Sequence, residues 1–190
     1  MDRVFTEAAI KGLFIVEGTP FADARGFFSK IFDREEFSLY RQKPIAQVNY
    51  SITRGEGTVR GLHFQKSPHM ELKIVTCLEG EIFDVAVDLR DDSPTFLQWH
   101  GENLKGGTLR SMIIPEGMAH GFQVLSPEVR MLYLHTESYH PESEGRLHVE
   151  DPALNITWPS AVRNLSSSDA QAPKINLDLK GGKGLLRGSS

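Results

Sequence analysis

Arg60, His63 and Gln65 stand within six residues of one another in the segment TVRGLHFQ, residues 58–65. An imidazole ordinarily titrates at about pKa 6.5, so it can take and return a proton at neutral pH. An arginine is a fixed cation whose planar fork suits phosphate or carboxylate oxygens. Leu62 and Phe64, lying between them, mark the segment as a strand heading for a core. In a straight strand Gly61, His63 and Gln65 share one face, and Arg60, Leu62 and Phe64 the other. Alternation alone therefore sends Arg60 away from His63. A glycine inside a strand often marks a bulge that re-aims a side chain, and at Gly61 it would let both polar groups reach one cavity. The competing reading is plainer: a strand histidine is more often a core or surface residue that has found a hydrogen-bond partner.

Other residues of the same chemical kinds recur along the chain. Lys73 opens the strand LKIVTC, where a lysine is usually solvated but can be drawn inward to meet negative charge. His120 follows a Pro-Glu-Gly turn in IPEGMAHGFQVL. Tyr133 and Tyr139, in MLYLHTESYHP, lie one at the end of a strand and one in the loop beyond; a strand tyrosine most often packs in a core with its hydroxyl satisfied. Arg25, in FADARGFF, follows a turn and by itself reads as solvated. Histidines and a carboxylate on a small β-barrel would suit zinc, manganese or iron. Such barrels usually supply two histidines from alternate positions of one strand. Here the positions two before and two after His63 are Gly61 and Gln65, and His100 and His120 are isolated, so no metal site is expected. No serine sits on a glycine-flanked elbow, and the single cysteine, Cys77, reads as a buried, inert thiol.

The elements that must position these residues are strands. KGLFIVE, AQVNYSIT, TVRGLHF, LKIVTCLEG, EIFDVAVDLR, TLRSMIIP, HGFQVL and VRMLYLHT are short and rich in β-branched and aromatic residues, with Gly, Pro, Asp and Ser between them. In EIFDVAVDLR, Phe83, Val85, Val87 and Leu89 fall on one face and Ile82, Asp84, Ala86 and Asp88 on the other. Glu79-Gly80 predicts a tight hairpin between LKIVTCLEG and EIFDVAVDLR. DREEFSLYRQ, with its acidic start, predicts a helix. The whole pattern is that of an all-β sandwich, jelly roll or barrel, whose mouth is a usual place for a small-molecule pocket.

Size and charge bound the function. The chain has 190 residues, 39% hydrophobic and 24% charged, enough for one domain to bury roughly 70% of its unfolded surface without disulfide or metal. A formal charge of −4 gives no footprint for nucleic acid, yet leaves room for a locally positive pocket. Apolar runs are too short to span a membrane, and the N-terminal segment lacks a signal-peptide pattern, so a cytoplasmic protein is expected. Residues 1–178 are read as a single domain and residues 179–190, glycine-rich, as a flexible tail.

Several blocks, taken together and in order, carry a family resemblance: FADARGFF, QVNYSI, VRGLHFQ, LKIVTCLEGEIFDVAVDLRDDSPTF, IPEGMAHGF, MLYLHTESYHP and EDPALNITWP. From about Phe14 to Pro173 the chain resembles the dTDP-4-dehydrorhamnose 3,5-epimerase family of cupins. The resemblance implies a β-jelly roll (a double-stranded β-helix) with short peripheral helices. It also implies a homodimer that exchanges strands, and no cofactor or metal. The implied substrate is a nucleotide-linked 4-keto-6-deoxyhexose, whose C3 and C5 protons are acidified by the ketone between them. The implied catalytic set is His63 as base, Tyr133 as acid, Lys73 at the enolate oxygen and Asp169 as partner of the histidine. The implied substrate-binding set is Arg25, Phe28, Gln47, Asn49, Arg60, His120 and Tyr139, with Arg25 and Arg60 at the diphosphate or nucleotide and Phe28 and Tyr139 stacked on the base.

The chain departs from the family pattern in three places. Lys30 stands where a nucleotide-contacting glutamate is usual, Ser168 where a lysine is usual, and Met70-Glu71-Leu72 replaces a small-Gln-small approach to Lys73. The chemical set is thus intact while the binding set is altered, which leaves open the nucleotide carrier and whether one or two carbons are inverted. Two other readings remain at this stage: a sugar-nucleotide-binding protein without catalysis, and a metal-dependent cupin.

Overall fold

The structure is a computed structural model that describes residues 3–40, 42–178 and 180–188. Thirteen strands are formed among them: β1 Arg3–Glu7, β2 Phe14–Gly18, β3 Phe21–Asp23, β4 Gly26–Phe28, β5 Gln47–Arg54, β6 Val59–Gln65, β7 Lys73–Glu79, β8 Glu81–Asp88, β9 Trp99–Lys105, β10 Ser111–Ile114, β11 Met118–Val124, β12 Glu128–His135 and β13 Glu144–Arg146. A six-stranded sheet runs β1-β2-β10-β7-β12-β5, and a five-stranded sheet runs β13-β6-β11-β8-β9. The two face each other as a jelly roll, and β3 and β4 pair only with one another.

Alternation sorts each strand between two environments. Val75 and Cys77 of β7, Met131 of β12, Ile82 and Ala86 of β8, and Phe122 and Val124 of β11 join one core between the sheets. The outward faces are also covered. Val85 and Val87 of β8 and Leu62 and Phe64 of β6 pack under Leu147, Val149 and Leu154, with Trp158 and Leu165 partly buried beside them. Ile74, Ile113 and Leu134, on the back of the other sheet, pack under Phe37 with Phe5 and Phe32. Double coverage explains why EIFDVAVDLR, alternating as it does, is buried along nearly its whole length.

Two local expectations are corrected. Glu79-Gly80 is not a hairpin: β7 and β8 lie in different sheets, and the chain turns a corner there. Gly80 has φ +80, and a Cβ at that position would run into the carbonyl oxygen of Glu128, so the corner requires glycine. DREEFSLYRQ forms only a 3-10 turn over Glu36–Leu39, with Arg41 outside the described residues. Phe37 is its one buried residue and Leu39 is exposed, so no apolar stripe exists to hold a longer helix. Asp33 starts the turn by accepting from the backbone N–H groups of Glu35 and Glu36 at 2.9 and 3.2 Å. Of the expected tail, Leu179, Ser189 and Ser190 lie outside the described residues. Leu185 and Leu186 pack against the outer core, and the Ser67 N–H donates to the carbonyl of Leu186 at 2.9 Å.

The bulge in β6 is present. His120 of β11 is opposite His63, and Phe122 is opposite Arg60, so two steps on β11 match three on β6. The extra residue resets alternation: Val59, Leu62 and Phe64 face the outer core, while Arg60 and His63 face inward. Gly61 sits in the bulge at φ +140, and a Cβ there would lie 2.6 Å from the Cα of Gly121. Gly61→Ala is expected to cost about 2 kcal/mol or more from backbone strain and overlap. Denaturant unfolding measures this; a variant with the wild-type midpoint would show that the close approach is not a constraint.

Candidate active site

The inward faces of the two sheets line a cavity of about 360 Å3. It is lined by Arg60 and His63 of β6, His120 and Phe122 of β11, Lys73 of β7, Tyr133 and His135 of β12, and Asn49, Tyr50 and Ser51 of β5. His63 therefore enters from one sheet, and Lys73 and Tyr133 from the other. A ring held between the walls meets an imidazole on one side and a phenol and an ammonium on the other.

Each histidine of the cavity is tied to its own carboxylate. Asp169 lies in the short helix α1, Ser167–Ala170, whose N-cap Ser166 accepts from the Asp169 N–H. Its Oδ1 is 2.7 Å from His63 Nε2. His120 Nε2 is 2.6 Å from Asp84 Oδ1, and His135 Nδ1 donates to Glu71 Oε2 at 2.8 Å. Pairing is what allows such groups to stay inside a barrel at all. Asp84 is fully buried, and burial raises its pKa against the opposing pull of His120. At Asp169 burial also works against ionisation, but the bond and charge of His63, with bonds from Ser166 and Arg146, carry the pKa down to about 2.

The remaining groups are fixed as well. Lys73 Nζ donates to the carbonyl of His63 at 3.2 Å and lies 3.1 Å from Glu71 Oε1. Burial of Tyr133 raises its phenol well above the usual range, so it stays protonated; its OH shares a 3.1 Å hydrogen bond with Ser51. A polar chain leaves Glu71 through His135 to Asn49, whose amide donates to His135 Nε2 at 3.3 Å. Gln47 donates to Asn49 at 3.0 Å and accepts from the Tyr139 N–H at 2.9 Å. Tyr139 OH then donates to Glu144, and Glu144 accepts from Arg146 beside Asp169.

Of the residues singled out in the sequence, His63, Tyr133, Lys73, Asn49, Arg60 and His120 line the cavity. Asp169 reaches it through His63, and Gln47 and Tyr139 belong to the chain of hydrogen bonds at its edge. Arg25 and Phe28 are not brought there within this chain. They sit on the β3–β4 hairpin, which pairs with no other strand; Arg25 is bonded to Asp23 and Phe28 is exposed. Lys30 is taken up by Asp33 and Glu36, at 2.8 and 2.6 Å, so its charge is balanced locally. Near Ser168, Arg146 supplies a cation from another element, donating to the serine hydroxyl at 3.3 Å. Cys77 is buried, and burial pushes its thiol up to about 11, as suits an inert residue.

Several site residues went unnoticed in the sequence. Asp84 had a signal, an acid between Ile82 and Ala86 on one strand face, all three of them buried. His135 lies two residues from Tyr133 on one strand and so shares its face. Arg146 had none, since β13 is only three residues long. Outside the cavity, His69, His140 and Glu142 hold donor atoms within 4.8 Å of one another. The two imidazoles stack at 3.5 Å and 12°, so their in-plane lone pairs run side by side rather than converge on an ion.

The family model described as dTDP-4-dehydrorhamnose 3,5-epimerase matches residues 7–176. The chain is 42% identical over 176 residues to the dTDP-4-dehydrorhamnose 3,5-epimerase of Salmonella typhimurium, covering 91% of this chain and 96% of that protein. It is 38% identical over 165 residues to a dTDP-4-dehydrorhamnose 3-epimerase of Streptomyces niveus, covering 86% and 79%. Among solved structures it is similar to the dTDP-6-deoxy-D-glucose-3,5-epimerase of Legionella pneumophila, solved with dTDP-4-keto-L-rhamnose, with TM-score 0.88, 40% identity and full coverage of both chains. Fold and site together define an epimerase built on a cupin-type jelly roll. The chain belongs to the dTDP-4-dehydrorhamnose 3,5-epimerase family.

The depressed pKa of Asp169 has a consequence for stability. A carboxyl lowered from 3.8 to about 2 on folding stabilises the native state above pH 3.8, and that stabilisation disappears as pH falls toward 2. It amounts to roughly 2 kcal/mol. Between about pH 5 and about pH 2, wild type should lose roughly 2 kcal/mol more stability than Asp169→Asn in denaturant unfolding. Parallel losses in the two proteins would show that Asp169 is not held ionised by its partners.

Proposed function

We propose that this enzyme inverts C3 and C5 of a nucleotide-linked 4-keto-6-deoxyhexose, with His63 as base, Lys73 at the enolate oxygen and Tyr133 as acid. The observation that carries the reading is the arrival of His63 and Tyr133 from opposite sheets at one cavity. Asp169 occupies Nε2 of His63, which leaves Nδ1 as the nitrogen open to substrate. The C–H bond beside the ketone breaks, its proton goes to Nδ1, and its electron pair moves into the carbonyl as an enolate. Lys73 meets the negative charge that develops on that oxygen, a contribution often larger than the proton transfer itself. Tyr133 returns a proton to carbon on the opposite face, which inverts the centre; proton exchange with solvent restores both groups. The high pKa of Tyr133 keeps its proton in place until a strongly basic carbon appears.

Inversion at both carbons is favoured by the relatives named as 3,5-epimerases at 40% identity or more, although a 3-epimerase stands at 38%. Arg60, a cation lining the same cavity as His63, suits the diphosphate. A deoxythymidine carrier is supported by the Legionella relative and its bound dTDP-sugar. Among the described residues no helix is long and apolar enough to cross a membrane. A cytoplasmic location agrees with the single cysteine being free.

Transfer into deuterated water tests the chemistry. Wild type should incorporate deuterium at C3 and C5 with inversion. His63→Asn should slow incorporation by roughly 10² to 10⁴-fold. Tyr133→Phe should still exchange on the His63 face but give little inverted product. Failure to exchange with every 4-keto-6-deoxy nucleotide sugar, together with tight binding, would favour a binding protein without catalysis.

The working unit is proposed to be a homodimer. Edge strand β5 presents Val48, Tyr50 and Ile52, 58%, 54% and 37% exposed, and the β3–β4 hairpin presents Phe21, Phe27 and Phe28. An open edge with apolar side chains invites pairing with a second copy, which would also carry Arg25 and Phe28 to a neighbouring cavity. Sedimentation should give twice the chain mass, and Val48→Glu should shift it toward one chain. A fully active single chain at micromolar concentration would rule this out.

A further inference from the structure

We propose that Arg146 is a positioning residue for the base, deciding which nitrogen of His63 holds the proton. The inference rests on His63 acting as the base. Arg146 is opposite His63 in the β13–β6 ladder, so the two are cross-strand neighbours. Arg146 Nη1 donates to Asp169 Oδ1 at 2.6 Å and lies 2.9 Å from His63 Nε2. The same Oδ1 is 2.7 Å from that Nε2, so guanidinium, carboxylate and imidazole meet in a triangle. Nη2 is anchored by Glu144 Oε1 at 2.6 Å, and Nη1 also donates to Ser168 Oγ.

A guanidinium nitrogen only donates. Nε2 therefore has two incompatible states. It can carry its proton and give it to Asp169, which sets two donors against each other 2.9 Å apart and leaves Nδ1 free to act as base. Alternatively it accepts from Arg146, which sets its lone pair against Asp169 Oδ1 2.7 Å away; the neutral ring then keeps its proton on Nδ1 and cannot take another there. A cation at that distance also disfavours the imidazolium that proton abstraction creates. Arg146 thus competes with Asp169 for Nε2, and its charge keeps Asp169 from taking the proton instead.

The other charged and titratable groups around His63 are few. They are Asp169 on α1, Glu144 on β13, Lys73 on β7 with Glu71 beside it, Arg60 on its own strand, His120 on β11 with Asp84, and Tyr133 and His135 on β12. None of these cations and donors has a hydrogen bond to Nε2; among the described residues Arg146 alone meets it as a donor.

The test is the pH profile of kcat/KM for deuterium incorporation, read beside the ¹⁵N shifts of histidine-labelled protein without substrate. In Arg146→Met the acid limb should move up by roughly one pH unit. Its His63 should hold the neutral proton on Nε2 alone, where wild type shows both tautomers. Arg146→Lys, which restores a charge, should return the profile most of the way to wild type. A uniform loss of rate with an unmoved profile and unchanged ¹⁵N shifts would overturn the proposal, leaving Arg146 a structural tie. Should wild type exchange no substrate at all, the role of His63 as base falls, and the ¹⁵N shifts alone decide whether Arg146 selects the tautomer.

Discussion

One extra residue in β6 governs the site. Without the bulge, Arg60 would share a face with Leu62 and Phe64, and the strand would have to bury a guanidinium in the outer core or turn two apolar side chains into the cavity. With it, Val59, Leu62 and Phe64 stay in the outer core while Arg60 and His63 reach the inner face. The close pass of Gly61 over Gly121 makes the bulge possible, since each glycine leaves the room that the other backbone occupies. Placement of a base and a cation in one cavity is thus a property of backbone register, fixed before any ligand arrives.

A cavity with Arg60, Lys73 and three histidines would be self-repelling if its counter-charges were distant. They are adjacent instead: Asp169, Asp84 and Glu71 each hold one histidine, and Glu71 also holds Lys73. Burial opposes the ionisation of Glu71, yet His135 and Lys73 together lower its pKa. The outcome is a site rigid through its polar contacts rather than its packing. Lys73 is fixed by two acceptors, one of them the carbonyl of His63 itself, so the ammonium is tied to the strand that carries the imidazole. That coupling suits a reaction in which proton and oxyanion lie one carbon apart.

Much of this was legible in the sequence. Strand periodicity located the β6, β7, β8, β11 and β12 segments, and the glycine at 61 announced the break in alternation. Resemblance to the family supplied Asp169, which spacing alone could not connect with His63 more than a hundred residues earlier. Two features were misread for physical reasons. Glu79-Gly80 looks like a hairpin because local sequence records a tight turn but not whether the next strand folds back onto its predecessor or crosses to the opposite sheet. DREEFSLYRQ has helical residues but one buried contact, and propensity without an apolar face holds only a single turn. Arg146 was invisible because its importance comes from a cross-strand neighbour, which no local pattern encodes.

The division between what one chain completes and what it leaves open is informative in itself. Every group assigned to proton transfer lies on the inner faces of this barrel or one hydrogen bond away. Two residues assigned to the nucleotide are elsewhere: Phe28 and Arg25 ride on a hairpin that pairs with no other strand. Chemistry demands fixed geometry, and the doubly covered sheets supply it. Recognition of a large, flexible nucleotide tolerates looser placement and can be delegated to a neighbouring copy. Lys30 follows the same logic: at the root of that hairpin its charge is spent on Asp33 and Glu36, fixing the segment rather than reaching for a ligand. A departure from family pattern at this position therefore acts on the arm that presents Phe28, and the proton-transfer geometry in the barrel is insulated from it.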